Sequence, residues 1–462
     1  MNLSLAIAEH IASATYAHLS PRAVQMTKYS LLDALGVMFG ASGIGEGCDA
    51  FAQLAIESHA KGEATILGYG VRTSASLAAF VNGAMAHALD FEDAHDEAPV
   101  HPNAQVIPAV LALAESLGNV EGQSLITAIA VGCDLTCRLG LSLKESIDDF
   151  GWYSPPILST FGATAAAANL LRLNVRQTLD AFSLALCQTS CSSEIKYNPL
   201  SVMRSIRDAF PTQVAVVAAQ LARNGVRGFE QPLDGKAGFF NNFARGRFDP
   251  ELITKNLGKN FEGENLSFKP WPACRGTHAY IDCAQQLSAQ HGLTASNIAS
   301  GHMKGHKVQK MLYEPIESKR RPTTAIDAKF SLPFTVSSAL YHGEVTLQNY
   351  TDDALRDPKV LELAKRLTFE VDPNPNASDN ATRGELSLTS KTGATYTMSL
   401  EHPLGHSSRP MSESDLVGKF NQCADLAKNP LTSYAREQLV SAILGIDTHR
   451  VLDTRFFALL KS

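Results

Sequence analysis

The sequence predicts a mainly α-helical protein in which a large all-α domain carries a smaller α+β domain. Three observations point there. Residues 1 to about 245 read as one helix after another, with alanine on closely spaced faces. The texture changes between about 250 and 270, and a β-hairpin pattern follows at GELSLTSKTGATYTMSL. Helical spacing then returns. At 462 residues the chain is too long for one ordinary core, so two or more domains are expected.

The N-terminus, MNLSLAIAEHIASATYAHLS, is amphipathic. It lacks the basic start and continuous apolar core of a signal peptide, and reads as the first helix. Ser20-Pro21 pairs a cap with a proline at the first helical position. The segments ASLAAFVNGAMAHALDF, QVIPAVLALAESLG, LITAIAVGCDLTCRLGLSL, TFGATAAAANLLRL and TQVAVVAAQLARNG complete a compact helical domain. Beyond it, HMKGHKV and RLTFEV precede the hairpin around Lys391-Thr392-Gly393, and AKFSLPFTVSSALYHG supplies one helix ended by Gly343. A capping arrangement at Ser412 to Asp415 opens the tail, with TSYAREQLVSAILGI and HRVLDTRFFALLKS in helical spacing. About 55 residues make a marginal core alone, so the tail is expected to rejoin the first domain. The expected division is 1–264 with 406–462, and 265–405.

A net charge of −6 gives no reason to expect nucleic acid or a membrane surface as partner. No uninterrupted run of eighteen apolar residues suggests a membrane span. The eight cysteines are scattered, and the i,i+4 pairs Cys133/Cys137 and Cys187/Cys191 lack further ligands for a metal. Reduced thiols and a cytoplasmic location fit them.

A small anionic substrate would need a local group of cations, and three segments could carry chemistry. In HALDFEDAHDEAPVHP, three histidines (His87, His95, His101) and five carboxylates fall within fifteen residues. His87 and Asp90 share a helical face by spacing, and a carboxylate that fixes an imidazole makes a general base. A solvated acidic loop is the plainer account, and a metal site ranks last. In FKPWPACRGTH, the residues Lys269, Arg275 and His278 cluster at a helix start, where an anion is favoured. A linker with solvated cations is the alternative, and Cys274 lacks an evident base to make it a nucleophile. In RSIRDAFP, Arg204 and Arg207 stand one turn apart at a helix start and suggest a bound anion, unless Asp208 simply pairs with them. Tyr153 could donate a hydrogen bond or merely pack. The Lys319-Arg320-Arg321 run reads as solvated surface.

Taken together, these segments resemble the MmgE/PrpD family, which includes 2-methylcitrate dehydratases, cis-aconitate decarboxylases and iminodisuccinate epimerase. AHALDFEDAH…HPNAQVIPAVLALAE, TFGATAAAANLL, LDGKAGFF, KPWPACRGTHAYIDCA and DAKFSLPFTVSSAL run in family order across nearly the whole chain. The resemblance implies a helical domain from both chain ends with an α+β lid, a site between them, a homodimer, and no cofactor or metal. By position, Asp90 and His101 match the family's carboxylate and histidine, Lys269 its lid lysine, His278 the histidine of its Thr-His pair, and Tyr313 its lid tyrosine. Three departures stand out. Tyr153 replaces a histidine, Arg204-x-x-Arg207 replaces Lys-x-x-His, and one extra residue separates Asp90 from His101. Arginine grips carboxylates but is a poor acid or base.

The shared chemistry is proton transfer at a carbon next to a carboxylate of a small di- or tricarboxylate. His101, oriented by Asp90, is the expected base, with Tyr153 or His278 as the opposing acid. Lys269, Arg204, Arg207, Arg275, Tyr313 and His95 are expected to bind substrate. A lyase is the first expectation, an epimerase the second, and a carboxylate-binding protein without catalysis the third.

Overall fold

The computed structural model describes residues 2–198, 200–374 and 380–461. Its larger core is built from helices whose small residues let backbones approach closely. In the helix Ser154–Leu170 every residue except Asn169 is buried, so it has no solvent face. It lies against Gly122–Leu141, where a Cβ added to Gly132 would stand 2.6 Å from the carbonyl oxygen of Gly162. Only glycine fits that crossing. Gly122–Leu141 is long and apolar enough by length and composition to cross a membrane, although no uninterrupted apolar run of eighteen residues occurs in it. Its apolar window is 89% buried inside the protein, and its interior Asp134 and Arg138 pair with each other at 2.7 Å.

Ala75–Ala88, Asn103–Leu117 and Ala209–Arg223 complete the central layer. Ser20 caps Pro21–Ile44, its hydroxyl accepting from Ala23 N–H. A short hairpin, β1 (Ala64–Ile66) and β2 (Val71–Thr73), interrupts the run that sequence reads as all helical. Gly68 and Gly70, at φ +74° and +66°, make its turn. From the tail, Glu413–Asp425 packs on Pro21–Ile44, and Leu416, Phe420, Leu439, Ile443 and Phe456 join the same core. HRVLDTRFFALLKS forms only a short helix, Thr454–Ala458. Before it, Leu452 N–H bonds the carbonyl of Val120 and Asp453 caps the helix start, so the chain is extended up to residue 453.

The second core surrounds a four-stranded sheet in the order β4 (Leu367–Val371), β3 (Ile298–Gly305), β5 (Gly384–Ser390), β6 (Thr395–Leu400). The β3/β4 pair is parallel; β3/β5 and β5/β6 are antiparallel. Alternate residues of β5, including Leu386 and Leu388, face His278–His291, which in turn packs on Leu332–His342. The expected helix AKFSLPFTVSSALYHG is two helices, Ala325–Lys329 and Leu332–His342, with Gly343 ending the second at φ +81°. Ser331 caps the second helix and Pro333 fills its first turn, which forces the break. Lys319 is no surface residue: it is buried and donates to Asp327 at 2.6 Å. All eight cysteines are free.

Candidate functional site

The segment 87–101 runs between the two cores. Its helix ends at Ala88, so His87 and Asp90 do not share a helical face as their spacing suggested. Asp90 sits at φ +48°, a conformation that costs a non-glycine residue about 1 kcal/mol or more. Two lysines of the second core hold it there. Lys269 Nζ donates to the Asp90 carboxylate at 2.8 Å and to its carbonyl at 3.1 Å. Lys329 Nζ donates to the carbonyl of Leu89 at 2.7 Å. Farther along, Ala94 and Ser267 exchange backbone hydrogen bonds at 2.9 and 2.8 Å.

Glu92, which the sequence reading left unassigned, is the hub of a buried cluster. Its Oε1 lies 2.5 Å from His87 Nδ1, 3.0 Å from His101 Nδ1 and 3.5 Å from Lys269 Nζ. Burial alone would raise its pKa, but Lys269, His101 and Arg207 outweigh that and keep Glu92 below the ordinary range. Lys269 shows the converse: burial favours the neutral amine, and Asp90 and Glu92 hold it charged. His101 Nδ1 also lies 2.9 Å from the carbonyl of Asp93, which makes it the protonated nitrogen. Burial, then Lys269, Arg207 and His87, hold His101 well below the ordinary histidine range against the pull of Glu92. At neutral pH it is a neutral imidazole. The expected partner, Asp90, is bonded to Lys269; Glu92 takes its place.

His101 opens on a cavity of about 540 Å³ between the two cores. Asp90, His95, Tyr153, Lys196, Arg204, Cys274, Arg275 and Phe330 also line it. Tyr153 Oη accepts from Arg207 at 3.3 Å, which leaves the phenol proton free to donate elsewhere. The guanidinium of Arg204 stacks 3.5 Å from the Phe330 ring centroid. The helix break at Ser331 is what delivers that ring. Arg204 has no carboxylate partner among the described residues, whereas Lys196 is paired with Asp148. A second chamber of about 670 Å³ adjoins, sharing Lys196, Arg204, Met311 and Phe330 with the first.

Other expected site residues are engaged within the protein. Arg275 grips Asp96 with two bonds of 2.9 Å and donates to the carbonyl of Leu404 at 3.0 Å. The anion expected at that helix start is thus the protein's own. His278 lies 3.0 Å from the Ala273 carbonyl through Nε2 and 3.3 Å from Arg275 through Nδ1. His95 lies 3.5 Å from Glu262 and accepts from Glu97 N–H. Tyr313 packs on Phe369 of the sheet. Lys269, Arg207, His278 and Tyr313 are not among the residues lining the cavity. Burial pushes the Cys274 thiol up, so it stays protonated. His87, Asp90 and Glu92 group closely enough for a metal, but Lys269 already sits between the two carboxylates and Arg207 occupies Nε2 of His87. Lys329, pushed down to about 8 by burial, is another residue the sequence reading missed; a lysine inside the apolar run AKFSLPF was its signal.

The chain matches the MmgE/PrpD N-terminal domain over residues 5–251 and the MmgE/PrpD C-terminal domain over residues 271–440. It is 27% identical to a cis-aconitate decarboxylase of Homo sapiens, over 87% of this chain and 84% of that protein. A cis-aconitate decarboxylase of Mus musculus is 26% identical over 90% and 86%. A 2-methylcitrate dehydratase of Cupriavidus necator is 26% identical over 72% and 71%.

Proposed function

The chain belongs to the MmgE/PrpD family, and from that premise we propose that it is a lyase acting on a small polycarboxylate. The observation that carries the reading is the Glu92–His101 pair, buried behind and opening on a cavity that also presents Arg204. A carbon next to a carboxylate is a very weak acid, so an enzyme must position a base and stabilise the charge that develops. Nε2 of His101 has no hydrogen-bond partner among the described residues and faces the cavity as the acceptor. When it takes a proton, Glu92 supports the imidazolium. Arg204, flat on Phe330, meets a substrate carboxylate, and Tyr153 is the donor for the leaving group or the reacting carbon. The decarboxylase relatives and the dehydratase relatives are both lyases of tricarboxylates by their names, which is the support for this reaction class.

The test uses the full chain with cis-aconitate and with 2-methylcitrate in D₂O, followed by proton NMR. Loss of carbon dioxide from the former or of water from the latter is expected. His101→Ala should lose about 10²-fold or more in kcat while substrate still binds. Unchanged kcat in that variant removes His101 from the mechanism. Binding of both acids without product or exchange at any carbon position sinks the lyase reading.

A further inference from the structure

Behind the cavity wall, Arg207, His87 and Glu92 form a chain that ends on His101. Arg207 is buried, and one terminal nitrogen meets Nε2 of His87. Nδ1 of His87 lies 2.5 Å from Glu92 Oε1, the oxygen that also meets His101. A guanidinium can only donate, so Nε2 of His87 must accept, and its single proton lies on Nδ1, donated to Glu92. We infer that Arg207 and His87 are positioning residues that fix Glu92 as the standing partner of His101, so that Arg207 serves the base and not the substrate. The inference rests on His101 being that base.

The placement of Arg207 supports this. It does not line the cavity; it donates to Tyr153 and to the carbonyl of Arg204, and its Nε stands 3.6 Å from Asp208. Its remaining nitrogens have no hydrogen-bond partner, but they are closed off from the cavity where a carboxylate would arrive. His87 is faced by Glu92, Arg207 and Asp208, with Asp90, Lys269 and Arg204 further out. Burial first, then Arg207, hold it far below the ordinary histidine range. The chain is therefore no proton wire: His87 already carries a proton on the side of Glu92, and its other nitrogen is blocked. Glu92 keeps its charge for His101.

The experiment is a ¹⁵N-histidine NMR titration of the full chain across about pH 5.5–8.5, the span in which an ordinary histidine titrates, with His87→Gln assigning the signal. Wild type should show His87 neutral and protonated on Nδ1 throughout. In Arg207→Leu, His87 should titrate or change tautomer within that span. Where a substrate is turned over, kcat should fall about tenfold or more with KM within about threefold. A His87 that titrates in wild type, or is unaffected in Arg207→Leu, overturns the inference. So does a tenfold rise in KM at unchanged kcat, which would make Arg207 a substrate cation. If circular dichroism finds Arg207→Leu unfolded, Arg207→Met, which also removes the donor and the charge, is read by the same criteria. If neither acid is turned over by wild type, the lyase reading fails on its own and the titration still decides this one.

Discussion

His101 keeps Nδ1 on Glu92 and the Asp93 carbonyl and leaves Nε2 to the cavity, so its pH behaviour is set from behind. Because burial and the nearby cations hold its pKa below the ordinary range, the base form persists at acidic pH. The acid limb of kcat should therefore lie below the usual histidine midpoint of about 6.5. Glu92→Gln removes the one anion pulling that pKa up, so the limb should move lower still while kcat at neutral pH falls by about 10²-fold. An upward shift of the limb in pH–rate profiles would show that Glu92 does not act on His101 by its charge. The sequence reading paired His101 with Asp90, one of five carboxylates within fifteen residues, whereas the carboxylate beside it in the structure is Glu92. What selects Glu92 is Lys269, which binds Asp90 and withdraws it from His101, and Arg207, which turns His87. Both arrive from more than a hundred residues away, beyond the reach of spacing.

At the scale of elements, two features place the site: the break between Lys329 and Leu332, and the clamp between Asp96 and Arg275. The break was hidden because alternating apolar residues continue through it; only the Ser331–Pro333 pair hints that a new helix starts there. The long central helices of the larger core, the β5/β6 hairpin and the caps at Ser20, Gly343 and Ser412 were legible, since each follows from local chemistry. The clamp joins a loop of the larger core to the first turn of the smaller one. Burial would raise the Asp96 pKa, but Arg275 and the Ser267 hydroxyl reverse this and hold it down to about 2. An unfolded aspartate titrates near about 3.9. The pair thus stabilises the fold fully above that pH, and the contribution disappears as pH falls toward 2. Asp96→Asn leaves a buried guanidinium without its counter-charge and should cost about 3–5 kcal/mol at neutral pH. Urea unfolding at pH 7 measures it, and the deficit relative to wild type should shrink at pH 3. A loss below 1 kcal/mol at pH 7 would mean that Arg275 finds water instead.

Over the whole molecule, three carboxylates of the segment 87–101 are met by cations drawn from distant parts of the chain: Lys269 on Asp90 and Glu92, and Arg275 on Asp96. Arg204 has no carboxylate partner among the described residues, which is why we propose it for the substrate. One further cation ties this arrangement to the tail. Lys419, on Glu413–Asp425, pairs with Asp33 at 2.6 Å and donates to the carbonyls of Phe91 and Lys269. A single buried ammonium thus joins Pro21–Ile44, the tail helix, the site loop and the start of the second core. Lys419→Met would strand two carbonyls and remove the counter-charge of Asp33, costing about 3–5 kcal/mol. Burial already raises the Asp33 pKa in the presence of Lys419, and without it the value must rise further. A raised folded pKa means that stability is greatest at low pH and is lost as pH climbs through that value. The variant should therefore lose more stability at neutral pH than near the unfolded aspartate midpoint of about 3.9 in urea unfolding, and adding Asp33→Asn should abolish that slope. Because the displaced carbonyl belongs to Lys269, kcat should fall as well, even under conditions where the variant is fully folded. A variant with normal kcat and a pH-independent deficit would make Lys419 an ordinary core contact, without influence on the site it adjoins.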